Sequence, residues 1–225
     1  MVKKIIIAVI VVNLIAIALI FAFLPSETHV ERTISIDAPR DLVFSQVVDL
    51  RKFHAWSPWT GRDPNAVYDF SDPSGGAGAT MAWNGDENVG VGAMQITEVI
   101  QGEGLELELD FGSQGVATSA WLFEQDGNGT KATWAFDCYN GMNPVARIFG
   151  AFFMEGMIGP DYEKGLQSLK ERCEILKAET AAEAEAAPDE PSSTGDIEST
   201  GDIELKPTAI GPAIDWSPQL PLGPR

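Results

Sequence analysis

Histidine and cysteine are both scarce in this chain, with two of each in 225 residues. Cys138 and Cys173 are too few for a disulfide framework and lack the close spacing of a zinc site, so no metal and no cofactor are expected. Nucleophilic catalysis needs a nucleophile, a base and an orienting group, and His29 and His54 are the only histidines to serve as base. His29 follows closely on a long apolar run, and His54, in the loop before Trp56, reads as a surface or capping residue. Basic side chains are also short, 15 against 33 acids for a net charge of −18. Residues 178–225 hold ten of those acids and two of the bases. Both parts of the chain therefore repel nucleic acid and anionic headgroups, and no nucleic-acid partner is expected. The glycine run Gly75-Gly76-Ala77-Gly78 has no lysine after it and precedes a strand, which excludes a phosphate-binding loop and leaves a turn. Glu106, Glu108 and Asp110 alternate with apolar residues and read as a solvated stripe rather than a catalytic carboxylate pair.

One long hydrophobic run is present. Residues 5–24 carry no charge and one polar side chain, Asn13, and at about 1.5 Å per residue they span roughly 30 Å of hydrocarbon. Lys3 and Lys4 precede the run, while Glu27 and Glu31 follow it. The positive-inside rule then puts the amino terminus in the cytoplasm and the rest of the chain outside. The rival reading is a cleaved secretory signal, whose apolar core is shorter and ends in small residues; here the end reads Phe21-Ala22-Phe23-Leu24-Pro25. An uncleaved single-pass anchor over residues 1–27 is the expectation.

Beyond residue 28 the pattern shortens. Thr33 to Asp37 alternate with the period of a half-buried strand, and Pro39 then suits the first turn of a helix carrying Leu42, Val43, Phe44, Val47 and Val48. A second short helix is expected over residues 51–56. Strand-sized segments follow at 66–70, 79–84, 90–101, 104–112, 115–125 and 130–138, separated by turn residues of which Asp126-Gly127-Asn128-Gly129 are the clearest. The Asn128-Gly129-Thr130 sequon is explained by that hairpin turn. Leu105, Leu107, Leu109 and Phe111 share one face, as do Ala132, Trp134, Phe136 and Cys138. An apolar sheet face needs a cover, and a helical region after Asn143-Pro144 supplies it as far as about Ala178, with a break or kink expected at Gly159-Pro160. Residues 179–225 are rich in Ala, Glu, Pro, Ser and Thr and repeat the unit Ser-Thr-Gly-Asp-Ile-Glu at 193–198 and 199–204. Their composition predicts an acidic disordered tail, with Ile214-Asp215-Trp216 as a docking motif for a protein partner.

Several pieces together carry a family resemblance: Ile34-Ser35-Ile36-Asp37-Ala38-Pro39 with Val43-Phe44, Asp49-Leu50 through Trp56-Ser57-Pro58-Trp59, residues 78–83, and Asn143-Pro144 with Ile158 through Leu166. Over residues 28–177 the chain resembles the polyketide cyclase and START-like superfamily often called SRPBCC, in a membrane-anchored bacterial branch. The resemblance implies an α+β helix-grip fold in residues 28–178, a curved antiparallel sheet of about seven strands wrapped on a long carboxy-terminal helix. It also implies a cavity between them that in relatives holds lipids, sterols, polyketides or hormones. No single activity follows, because the fold hosts carriers, cyclases and regulators alike.

Trp56, Trp59, Trp83, Phe111, Trp121, Trp134, Phe136 and Phe153 form the most informative set, with Phe149 and Phe152 from the helix side. Core packing explains any one of them; on a hollow fold the group makes an apolar wall whose indole N–H groups are its few polar contacts. Arg147 and Tyr162 are the polar helix residues that are candidates for fixing a ligand's head group. The expected function is non-catalytic binding or transfer of a hydrophobic small molecule at the outer face of a bacterial cytoplasmic membrane. An enzyme of cyclase, dehydratase or hydrolase type is the first alternative, and a regulatory or assembly module acting through protein contacts is the second.

Overall fold

The computed structural model describes residues 2–186. Helix α1, Val2–Phe23, is long and apolar enough to cross a membrane, and none of its side chains is buried against the rest of the chain. A core helix of similar composition would be covered, so its exposed apolar surface is the distinguishing feature.

Strand β1, Glu27–Ile36, begins three residues after the last residue of the apolar run. Helices α2, Arg40–Val47, and α3, Leu50–Trp56, follow, the second capped by the Asp49 carboxylate, which accepts from the backbone N–H of Arg51 at 3.0 Å. Strands β2 (Val67–Phe70), β3 (Thr80–Asn84), β4 (Val91–Ile100), β5 (Gly104–Asp110), β6 (Val116–Asp126) and β7 (Gly129–Tyr139) then form a meander. The seven strands make one antiparallel sheet in the order β1-β7-β6-β5-β4-β3-β2. Only β1 is out of sequence, pairing with β7 from Glu27↔Tyr139 to Ile36↔Thr130. Alternation drives the burial: along β5 Leu105, Leu107 and Leu109 are buried while Glu106, Glu108 and Asp110 are exposed.

The cover is helical from Pro144 onward. Helix α4, Pro144–Phe149, is capped by the Asn143 side chain, which accepts from the N–H groups of Val145 and Ala146. It passes through a π-helical turn, Gly150–Met154, into α5, Glu155–Ala186. Pro160 lies inside α5 without breaking it, contrary to the interruption expected at Gly159-Pro160. An interior proline costs about 3 kcal/mol, but Tyr162, Leu166, Leu169 and Cys173 beyond it are all buried on the sheet, and such side chains contribute about 1.5–3 kcal/mol each. Gly159 has a packing role: a Cβ there would lie 2.3 Å from the Arg32 guanidinium, which forks to Glu155 at 2.5 Å and Glu163 at 2.7 Å and ties β1 to α5.

The helix also runs past the boundary expected near residue 178, because Glu179, Ala181, Ala182 and Ala184 are strong helix formers that need no tertiary cover to extend an existing helix. The rest of the expected tail, including the 214–216 motif, lies outside the described residues.

Candidate functional site

The inner face of the sheet is aromatic to an unusual depth. Tyr162 of α5 stacks on Trp134 of β7 with ring centroids 3.8 Å apart, Trp134 on Trp121 of β6 at 4.5 Å, and Trp121 on Phe123 at 5.8 Å, all within 20° of parallel. Trp56, Trp59 and Phe53 meet Trp134 edge-on, and Phe44 closes the far end against Phe123. The stack requires a glycine on the helix: a Cβ at Gly165 would sit 2.8 Å from the Trp134 ring and 3.1 Å from Pro58.

One side of this stack borders a cavity of about 160 Å³. Seven of the nine aromatics expected at the site line it: Trp59, Trp83, Phe111, Trp121, Trp134, Phe136 and Tyr162. Trp83 lies over Gly92, its cross-strand partner, where a Cβ would come within 2.5 Å of the indole. Between these rings the wall is filled by Met81, Met94, Leu107 and Leu109 from the sheet and Ile158 from α5. Thr60 is the one exposed residue of the cavity lining.

The other two site residues stand elsewhere. Trp56 is buried behind the stack, its indole donating to the Gln46 carbonyl at 3.0 Å, so it supports Trp121 and Trp134 from the side away from the cavity. Phe153 points to solvent, as do Phe149 and Phe152. The reason is Gly150: the helix approaches the strand ends through this glycine, where a Cβ would meet the Thr28 hydroxyl at 2.1 Å and the Asn140 amide at 2.6 Å, leaving the aromatic side chains on the opposite face. Arg147 also fails to reach the cavity. Its guanidinium donates to the carbonyls of Gly141 at 2.8 Å and Leu24 at 3.0 Å and lies over the Phe21 ring.

Polar atoms inside the wall are few and organised around Ser119. Its hydroxyl donates to the Ala135 carbonyl at 2.9 Å and accepts from the Trp134 indole at 2.9 Å, and the Tyr162 hydroxyl stands 3.4 Å away. Burial pushes the Tyr162 phenol far above its ordinary range, so it stays protonated. With its proton directed at Ser119, its oxygen lone pairs face no stronger partner. Ser119 and Tyr68 were not anticipated from the sequence. Ser119 had a signal there: it is the one polar residue flanked on its strand face by Ala117, Trp121 and Phe123.

His54, expected at the surface, also lines the cavity. Its ring centroid is 4.2 Å from that of Tyr68, its Nδ1 lies 3.2 Å from the Thr60 hydroxyl, and desolvation lowers its pKa. Burial raises that of Tyr68, with Asp63 adding to the shift. Among the described residues no carboxylate hydrogen-bonds to His54, so an orienting acid is missing from a base–nucleophile arrangement.

Residues 27–174 match the family described as polyketide cyclase / dehydrase and lipid transport. The chain belongs to this family. Among curated proteins no sequence matches. Among solved structures, the KanY protein is similar with a TM-score of 0.51 at 15% identity, over 67% of this chain and 99% of that one. Ara h 8.0201 is similar with a TM-score of 0.50 at 10% identity, over 65% and 97%. The Aha1 dimer from Colwellia psychrerythraea is 18% identical over 65% and 96%, with a TM-score of 0.47. The first two likenesses bear on fold, and the helix-grip architecture they share with the family is the one described above. Family membership supports hydrophobic-ligand binding in general terms, and the activity of this chain has to be argued from its own cavity.

Proposed function

We propose that the chain binds or transfers a hydrophobic small molecule in the cavity beside the Tyr162–Trp134–Trp121 stack, held by α1 at the outer face of a bacterial cytoplasmic membrane. The observation that carries this reading is an apolar hollow of about 160 Å³ left inside an otherwise closely packed aromatic core. Interiors normally pack to the density of organic crystals, and an apolar void of about 150 Å³ stays dry and admits a benzene-sized guest. The enclosed part of the ligand is therefore one ring or a short branched chain, and anything longer extends beyond the cavity. The Tyr162 oxygen is the acceptor that a hydroxyl or amine on the buried end would meet. The enzyme reading is weaker because His54 has no orienting carboxylate, and the interaction-module reading does not account for the hollow.

Native mass spectrometry of the full chain extracted in detergent, compared with a Leu107→Phe variant, tests the proposal. The added ring fills part of the space beside Trp121 at a typical overpacking cost of about 1–3 kcal/mol. A small molecule that co-purifies with the wild type and is depleted in the variant supports binding. If neither form retains a guest, and wild-type indole emission is unmoved by ring-sized quinones, sterols and lipids, the cavity is a packing defect and the proposal fails.

A further inference from the structure

The aromatic side chains that miss the cavity form a surface of their own. Val145, Phe152, Phe153 and Met157, on α4, the π-helical turn and the start of α5, are 72%, 68%, 55% and 56% exposed. Met142, in the turn before α4, is 75% exposed, and the Phe149 and Phe153 rings stack on each other at 5.7 Å. The patch sits at a defined level of the molecule. Arg147, from the buried side of α4, holds the Leu24 carbonyl at the end of the apolar run and covers the Phe21 ring. The point where α1 leaves hydrocarbon and the helix bearing the patch are thus bound to each other.

We infer that this α4–π–α5 surface is a second membrane contact, lying in the headgroup and upper acyl region of the same leaflet from which α1 emerges. The inference rests on α1 being an uncleaved span. Its continuity with α1 selects a bilayer over a protein partner: a membrane that surrounds Phe21 and ends near Leu24 has its surface where Arg147 fixes α4. The only basic side chain from Met142 to Met157 is Arg147, which is already engaged, so the attachment is hydrophobic and does not depend on anionic lipid. An interfacial helix face of this kind enters the headgroup and acyl boundary by about 5–10 Å. Ile158, the next residue after Met157, lines the cavity, so the same helix touches both the bilayer and the binding site.

The test uses the full chain in phosphatidylcholine vesicles, with single cysteines carrying an environment-sensitive fluorophore and nitroxide lipids as depth-dependent quenchers. I10C reports on the span, F152C on the patch, and N128C on the β6–β7 turn at the far end of β1, which is ten residues or about 33 Å long. Phe152 and Asn128 are exposed, so neither change disturbs packing, and the wild-type chain with its two less accessible thiols is the blank. The expected result is at least about twofold quenching at Ile10 and Phe152, none at Asn128, and the same pattern with or without anionic lipid, as an interfacial depth implies. Quenching at Ile10 with none at Phe152 overturns the inference while leaving the span intact. A blue-shifted but unquenched label at Phe152 assigns the patch to a protein contact and also overturns it. Absence of quenching at both positions removes the anchor reading and this one together.

Discussion

At the residue scale, the aromatic rings that line the cavity differ in how fully their neighbours cover them. Trp134 is covered on both faces by Tyr162 and Trp121 and on its edges by Phe53, Trp56 and Trp59, so Trp134→Ala is expected to cost about 3–5 kcal/mol, the usual loss for a buried Trp. Trp83 is half-buried and its ring meets that of Phe111 with centroids 6.1 Å apart, so Trp83→Ala should cost clearly less while weakening ligand binding by at least as much. Urea denaturation of the two variants beside ligand titration separates the roles; equal destabilisation would show that the cavity wall is structural throughout. Tyr162→Phe keeps the stack and removes one hydroxyl whose only side-chain partner among the described residues, Ser119, is a long 3.4 Å away. Stability should change by less than about 1 kcal/mol, while affinity for guests with a hydroxyl or amine falls and affinity for hydrocarbon guests does not. The free thiols offer a further check on packing. Burial raises the pKa of Cys138 and pushes that of Cys173 up to about 12, so at neutral pH Cys173 should resist alkylation in the native state and react once the chain unfolds.

At the element scale, what was legible in the sequence is what period reports. Period two in residues such as Leu105 to Phe111 and Ala132 to Cys138 placed the central strands to within a few residues, and glycine-rich turns marked their ends. The helix spacing of Tyr162, Leu166, Leu169 and Cys173 likewise identified the covering face. Period is silent about the π-helical turn and about the outward direction of Phe149, Phe152 and Phe153, which comes from the close approach of Gly150 to Thr28, 122 positions apart in sequence. Nor does it distinguish Trp56 behind the stack from Trp59 in front of it, since only Ser57 and Pro58 separate them. His54 was misplaced for the same reason: its burial comes from Tyr68 of β2, an edge-strand residue. Its position at the end of α3 predicts a pH effect. The folded pKa lies below 6.5 because burial opposes the charged ring, so the unfolded chain takes up the proton first as pH falls. Stability contributed by neutral His54 is therefore present above about pH 6.5 and lost on acidification toward the folded pKa. The difference in Tm between wild type and His54→Gln should narrow or reverse between about pH 7 and 5, a window above most carboxylate titrations. A pH-independent difference would mean that His54 is solvated after all.

At the scale of the whole molecule, the question is which compartment sees the cavity. Helix α1 is separated from β1 by only a few residues, and Arg147 removes much of the freedom that remains by engaging the Leu24 carbonyl and the Phe21 ring. A cleaved leader would leave Arg147 without those two partners, and a domain built to lose them would gain nothing from making them; this favours an anchor that stays attached. Under the proposed reading, the two lysines before the helix predict a domain on the non-cytoplasmic side. A reporter enzyme that is active only after export, fused after Ala186 where α5 ends, is expected to be active, and the mature chain should retain its amino-terminal Lys3-Lys4 peptide in membrane fractions that resist alkaline extraction. Reversing the flanking charges with Lys3→Glu and Lys4→Glu should reduce the exported fraction, because orientation follows the basic side chains and not the net charge. Export activity with a mature terminus near residue 25 would keep the orientation but replace the anchor with a leader, and reporter activity confined to the cytoplasm would place the cavity on the opposite side of the membrane from the one argued here.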